Sequence, residues 1–202
     1  MNMKRLSYFL VAALMVAAVI SCKKDSGKES DGGSKLIAPE AVDLGLSVLW
    51  ADRNIGAEDA MRVGYHFAWG ETNPRPKDTF AERNYVFEKI HAPMKLTGQY
   101  DAANVLLGNG WRMPTKEECL ELSSLEVETI KDDGVPVGIK LTGNGNSITI
   151  PFPDPDGGLN LINLWTSGRT ADPLWAEICY DINSVSECRR EYTNPIRAVK
   201  DK

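Results

Sequence analysis

Ile139 to Ile150 alternates apolar and polar residues on both sides of Asn144-Gly145. An Asn-Gly pair accepts two successive positive φ angles at little cost, so it favours a type I′ turn between two short antiparallel strands. Val42, Leu44, Leu46, Val48 and Trp50 alternate in the same way and predict one strand. Tyr65, Phe67 and Trp69 predict another, with His66 on its polar, partly exposed alternate. Further strands are expected over Leu159–Trp165, around Cys179 and Cys188, and at Ile196–Val199. Thr115 with Glu118 three residues on forms a capping box, and Glu117 joins it in the first turn, so Lys116 to Ser124 predicts a short helix. Loops rich in proline, glycine or acid, Glu71–Asp78 and Pro151–Gly158, separate these elements, and no fixed-period repeat appears. Many short strands, one or two helices and long loops indicate an α+β fold.

The first 35 residues obey a different logic. Lys4 and Arg5 precede thirteen apolar residues, Tyr8 to Ile20, too few to span a bilayer and right for the core of a signal peptide. Val19-Ile20-Ser21-Cys22 then places a small residue before a cysteine and resembles the loose lipoprotein box of Bacteroidetes-type bacteria. The resemblance implies cleavage after residue 21 and lipidation of Cys22, and two or more acyl chains anchor a protein stably. Residues 23–35 contain no apolar side chain and read as a flexible tether. Lys23 in place of Asp leaves out the usual inner-membrane retention signal, and the Lys-Lys-Asp start resembles surface-export tails. The expected organisation is residues 1–21 signal peptide, 22–35 lipidated cysteine and tether, and 36–202 one folded domain. The formal charge of −5 becomes more acidic when Lys4 and Arg5 leave, and with no basic stripe it excludes a typical nucleic-acid partner.

With Cys22 lipidated, Cys119, Cys179 and Cys188 remain for an oxidising compartment. A hairpin turning at Asn183-Ser184 sets Cys179 opposite Cys188 on a non-hydrogen-bonded pair, where a cross-strand disulfide is feasible. Glu177/Arg190 would support that register. The row Ala176, Ile178, Tyr180 facing Arg189 and Glu187 opposes it, unless a bulge intervenes. Cys119, inside the predicted helix, reads as a buried free thiol rather than a nucleophile.

Other chemistry finds little footing. His66 and His91 lack zinc-site spacing, and nothing places Ser167 beside His66 as a nucleophile with its base. Asp154-Pro-Asp156-Gly-Gly resembles part of a calcium loop but lacks the further oxygens such a loop needs. No cofactor is expected.

Several motifs together resemble the Fibrobacter succinogenes major paralogous domain family of Bacteroidetes and Fibrobacter surface proteins. They are Val42-Asp-Leu-Gly-Leu-Ser-Val-Leu-Trp-Ala51, Asn54-Ile-Gly-Ala57 and Gly64-Tyr-His-Phe-Ala-Trp-Gly-Glu-Thr72. Gly110-Trp-Arg-Met-Pro-Thr-Lys-Glu-Glu118, the Gly138–Pro151 hairpin, Leu164-Trp-Thr-Ser167 and Ile196-Arg-Ala-Val199 follow in order. The likeness spans about residues 41–199. This chain departs from the pattern at Cys119, where an aromatic is common, at Thr166 in place of serine, and at Ala198 in place of proline.

The resemblance implies a C-type-lectin-like fold of small twisted, mainly antiparallel sheets. It makes Trp50, Trp69, Gly70, Glu71, Trp111, Arg112, Pro114, Trp165 and Arg197 structural motif residues. The four tryptophans are then expected in the core, and the two arginines on backbone carbonyls or on carboxylates such as Glu71 or Asp43. Trp175 lies outside the motifs and is the candidate ligand surface. The sulfatase-activating relatives of such folds use catalytic cysteines, but the Cys179/Cys188 spacing suits a structural bridge better. The expected function is non-enzymatic recognition or adhesion by a protein held by lipid in the outer membrane, at the cell surface, with a glycan or protein ligand. The alternatives are a structural subunit of a fimbrial or envelope complex, and an enzyme or accessory factor acting on surface polysaccharide.

Overall fold

The computed structural model describes residues 36–77, 79, 81, 85–87, 91–154 and 160–202. The expected signal peptide, Cys22 and tether lie outside the described residues, as do Asp78 and residues 155–159 of the acidic loop.

Ala41–Val42 (β1) and Val48–Ala51 (β2) are two strands, which corrects the single strand expected over Val42–Trp50. The Asp43 carboxylate accepts from the Gly45 N–H at 2.9 Å and Gly45 has φ +81°, so the chain turns there and β1 pairs back onto β2. His66–Ala68 (β3) is buried throughout, His66 included, because β3 is covered on both faces. The Asp101 side chain accepts from Asn104 N–H and caps a helix absent from the sequence reading, Ala102–Leu107 (α1). Trp111–Arg112 (β4) leads into Lys116–Glu121 (α2), which tightens into a 3-10 turn over Leu122–Ser124. Both bonds of the capping box are present: Glu118 N–H donates to Thr115 Oγ1, and Thr115 N–H to Glu118 Oε2.

Glu126–Asp132 (β5), Val135–Gly143 (β6) and Asn146–Pro151 (β7) form a meander. Asn144 and Gly145 have φ +50° and +73°, the backbone that a type I′ turn requires. Asp133-Gly134 makes the same turn between β5 and β6 at φ +45° and +85°. Leu164–Arg169 (β8), Trp175–Asp181 (β9) and Ser184–Arg189 (β10) form a second antiparallel sheet with β9 central. Thr193–Pro195 (β11) pairs with β3, and Val199–Asp201 (β12) lies between β2 and β4. Small antiparallel sheets with few helices make this an α+β chain.

The β9–β10 register differs from the expected one. The turn falls on Ile182-Asn183, because Asp181 accepts from Asn183 N–H and from the Ser184 hydroxyl. A bulge follows, so Val185 opposes Cys179 and Cys188 opposes Ala176. The slip is odd-numbered, and an odd slip carries a side chain to the other face. Cys179 and Cys188 therefore lie on opposite faces of the sheet, both as free thiols, and the bridge expected between them is not formed. The slip also removes the poor packing: Ile178 now opposes Ser186, and the exposed Tyr180 is left out at the bulge.

β9 divides two hydrophobic clusters. Ala176 and Ile178 join Phe67, Trp69, Phe87, Trp111, Met113 and Trp165, with Cys188 packed at the edge. Cys179 joins Trp50, Cys119, Leu122, Leu141, Ile148, Ile150, Leu164 and Val199. Period two in β2, β8 and β9 thus sends successive side chains to different cores.

Candidate functional site

The Trp-Gly-Glu-Thr segment after β3 is held by long-range hydrogen bonds. Trp69 donates from Nε1 to Thr166 O at 2.9 Å, and Trp165 donates from Nε1 to Phe67 O at 2.7 Å. The two motifs thereby lock each other. The Tyr85 hydroxyl donates to Trp69 O, and burial, the largest influence, pushes that phenol far above its usual range. Gly70, at φ +85°, lets the chain pass against the Phe87 ring. The backbone then rises into an open cleft of about 580 Å3.

Residues Gly70–Arg75 line one side of this cleft; Val86, Gln99 and Tyr100 complete the lining. Glu71 and Arg75 form a bidentate ion pair, Arg75 Nη2 to Glu71 Oε1 at 2.7 Å and Nε to Oε2 at 2.5 Å. The Glu71 hydrogen bonds, the largest influence, raise the Arg75 pKa. Thr72 and Tyr100 are half-buried, and Asn73 and Gln99 are exposed. These amide and hydroxyl groups can both donate and accept hydrogen bonds, and they sit beside one aromatic ring. Glu71 was expected as a structural residue. Arg75, Gln99 and Tyr100 were missed. An Arg four residues after a Glu in a proline-rich loop was a usable hint, whereas nothing near Gln99-Tyr100 marks them in the sequence.

The other motif residues are structural in their contacts. Trp50, Trp69, Trp111 and Trp165 are buried. Arg112 holds Glu118 through two bonds of 2.9 and 2.6 Å and Asp201 at 2.7 Å, not Glu71 or Asp43. The hydrogen bond to Glu118 is the largest influence raising the Arg112 pKa far above its ordinary value. Buried Pro114 offers its carbonyl to Ser167 N–H at 2.7 Å, tying the Arg-Met-Pro turn to the Trp-Thr-Ser strand. Ser167 is itself buried, away from any solvent-facing role. Arg197 is fully buried and hydrogen-bonds no carboxylate among the described residues: it donates to Asn54 Oδ1, Ala51 O and Thr149 O. Burial draws its guanidinium down to about 9.

Trp175 does not line this cleft among the described residues. It is half-buried on β9 opposite Arg189. A smaller hollow of about 150 Å3 gathers Lys77, Pro153 and Asp154 from the two long loops with His66 and Asn163, again without Trp175. No group of His, Cys, Asp and Glu among the described residues is arranged to hold a metal. No protein-family model matches the chain, and no curated protein or solved structure matches it either.

Proposed function

We propose that this chain is a lipid-anchored protein of the outer cell surface, a member of the Fibrobacter major paralogous domain family with a C-type-lectin-like fold. Its role is to recognise a glycan or a surface protein without chemical change. The observation that carries the reading is the cleft over the Trp-Gly-Glu-Thr loop. Its floor is tied by long-range hydrogen bonds, the one carboxylate among its described lining residues is committed to Arg75, and the other polar groups described there are the Thr72 hydroxyl and the Asn73 and Gln99 amides beside the Tyr100 ring. Amides suit sugar hydroxyls, and an aromatic face suits the apolar side of a pyranose ring. After cleavage of the leader, lipidated Cys22 and the polar tether would carry this cleft away from the membrane. The assembly-subunit alternative asks for an apolar free edge. The edge strand β5 instead carries Glu126, Glu128, Lys131 and Asp132, charges that blunt strand addition.

The test is a broad glycan and host-matrix binding panel with the full chain. Tyr100→Ala and Gln99→Ala should each weaken the best binder about tenfold, roughly the effect of losing one stacking or hydrogen-bonding partner. Binding to no panel member, or binding indifferent to both variants, tells against the cleft as the site.

A further inference from the structure

Cys119 and Cys179 are far apart in sequence yet meet in the second hydrophobic cluster. Cys119 lies on α2 and Cys179 on β9, and α2 packs against β9. Both side chains are essentially inaccessible, and the Cys179 thiol, which donates to Asp181 O at 3.5 Å, is the neighbour with the largest effect on Cys119. Cys188 lies on the opposite face of the sheet, only partly buried, beside Asn194. Of the three cysteines among the described residues, then, two share one hydrophobic cluster and the third is turned away from both.

We propose that Cys119 and Cys179 are the partners of a structural disulfide that staples α2 to β9 when the chain folds under oxidising conditions, leaving Cys188 as the free thiol. The oxidant is a small or protein disulfide. The thiolate of one cysteine attacks an oxidant sulfur and displaces the first oxidant thiol. The second cysteine attacks the mixed disulfide and displaces the other. One S–S bond forms and one breaks, and two electrons and two protons leave with the oxidant as two thiols. Burial shapes the timing. The neighbouring Cys179 thiol and burial both hold Cys119 well above the usual thiol range, so a Cys119 thiol trapped reduced in the folded protein is inert. The bridge must close as the helix docks, before the pocket seals.

In the cell, the oxidant is supplied only if the envelope reading above is right; the pairing itself can be tested without that reading. The full chain is refolded from denaturant in a glutathione redox buffer and alkylated. It is then digested without reduction by trypsin and a glutamyl endopeptidase, which cuts after Glu177 and Glu187 and so separates Cys179 from Cys188. The expected map joins the Cys119 fragment to the Cys179 fragment and finds Cys188 alkylated. Alkylated Cys119 and Cys179, or any bridge from either of them to Cys188 or Cys22, overturns the proposal. Reductant should lower the Tm of the oxidised chain by roughly 5–10 °C, and Cys188→Ser should show the same drop. Loss of the drop in Cys188→Ser would assign the bridge to Cys188 and overturn the proposal as well. Failure of the anchor would appear separately, as unchanged membrane retention of Cys22→Ser.

Discussion

At Gly70 the backbone has φ +85°, and a Cβ would lie 2.2 Å from the Phe87 ring. Phe87 cannot retreat easily, because Trp69, Tyr85 and Tyr100 pack around it at centroid distances of 5.7, 5.8 and 5.1 Å. Gly70→Ala should therefore combine left-handed strain with overpacking and cost at least ~2 kcal/mol. The measurement is urea unfolding, and a change under half a kilocalorie would show that the loop relaxes freely. Because Tyr100 borders both this cluster and the cleft, the variant should also perturb binding. Single residues were legible in the sequence where bulk decides and less so where partners decide. Alternating tryptophans within the motifs marked the core. Arg197 was expected on a carbonyl or a carboxylate, and it found Asn54 and two carbonyls, neighbours set by β12 docking beside β2. No local pattern encodes that docking.

The helix α2 shows how far local signals reach. Thr115, Glu117 and Glu118 announce its start, and the capping box forms as read. The sequence did not reveal that Glu118 also serves Arg112. Burial alone would raise the Glu118 pKa, but the Arg112 hydrogen bonds, the Thr115 N–H and the Arg112 charge outweigh it and leave the carboxyl below its usual value. A carboxyl depressed in the folded state stabilises above its unfolded pKa, and that stability is lost as pH falls through the folded value. Glu118→Gln should cost about 1–2 kcal/mol at pH 7, the size of a charge-assisted bond. The gap to the parent chain should narrow below about pH 4, where ordinary glutamates protonate. An equal gap at pH 7 and pH 3 would refute the charge assignment. Asp101 works in the opposite sense: burial raises its pKa, so its contribution is full at low pH and erodes as pH rises through the folded value. Strand pairing was less legible than helix capping. Asn144-Gly145 fixed its hairpin, and Asp133-Gly134 carried the same signal unread. Around Asn183 the turn is set by the side chain of Asp181, and the bulge that follows moved two cysteines to opposite faces.

On the scale of the whole chain, two cores share the central strand β9, while motifs from distant segments bind one another through Trp69, Trp165 and Pro114. This convergence ties the Trp-Gly-Glu-Thr segment beneath the cleft to the Trp-Thr-Ser strand. The acidic balance fits the proposed role outside nucleic-acid binding, and in that proposal residues 23–35 would give the domain reach. What the cleft can meet then depends on Cys22. On the proposed reading, two or more acyl chains on that cysteine would anchor the protein stably, whereas an ordinary secreted chain with a chance cysteine has no apolar side chain in residues 23–35 to replace them. Cys22→Ser in the full chain should therefore move the protein from the membrane to the soluble fraction and abolish palmitate incorporation. The folded part should be untouched, so the Tm of the domain and its panel binding should match the parent. Retention of Cys22→Ser at the membrane with labelling unchanged would place the lipid elsewhere or remove it from the account. Release accompanied by a lowered Tm would instead mean that residue 22 contributes to the fold.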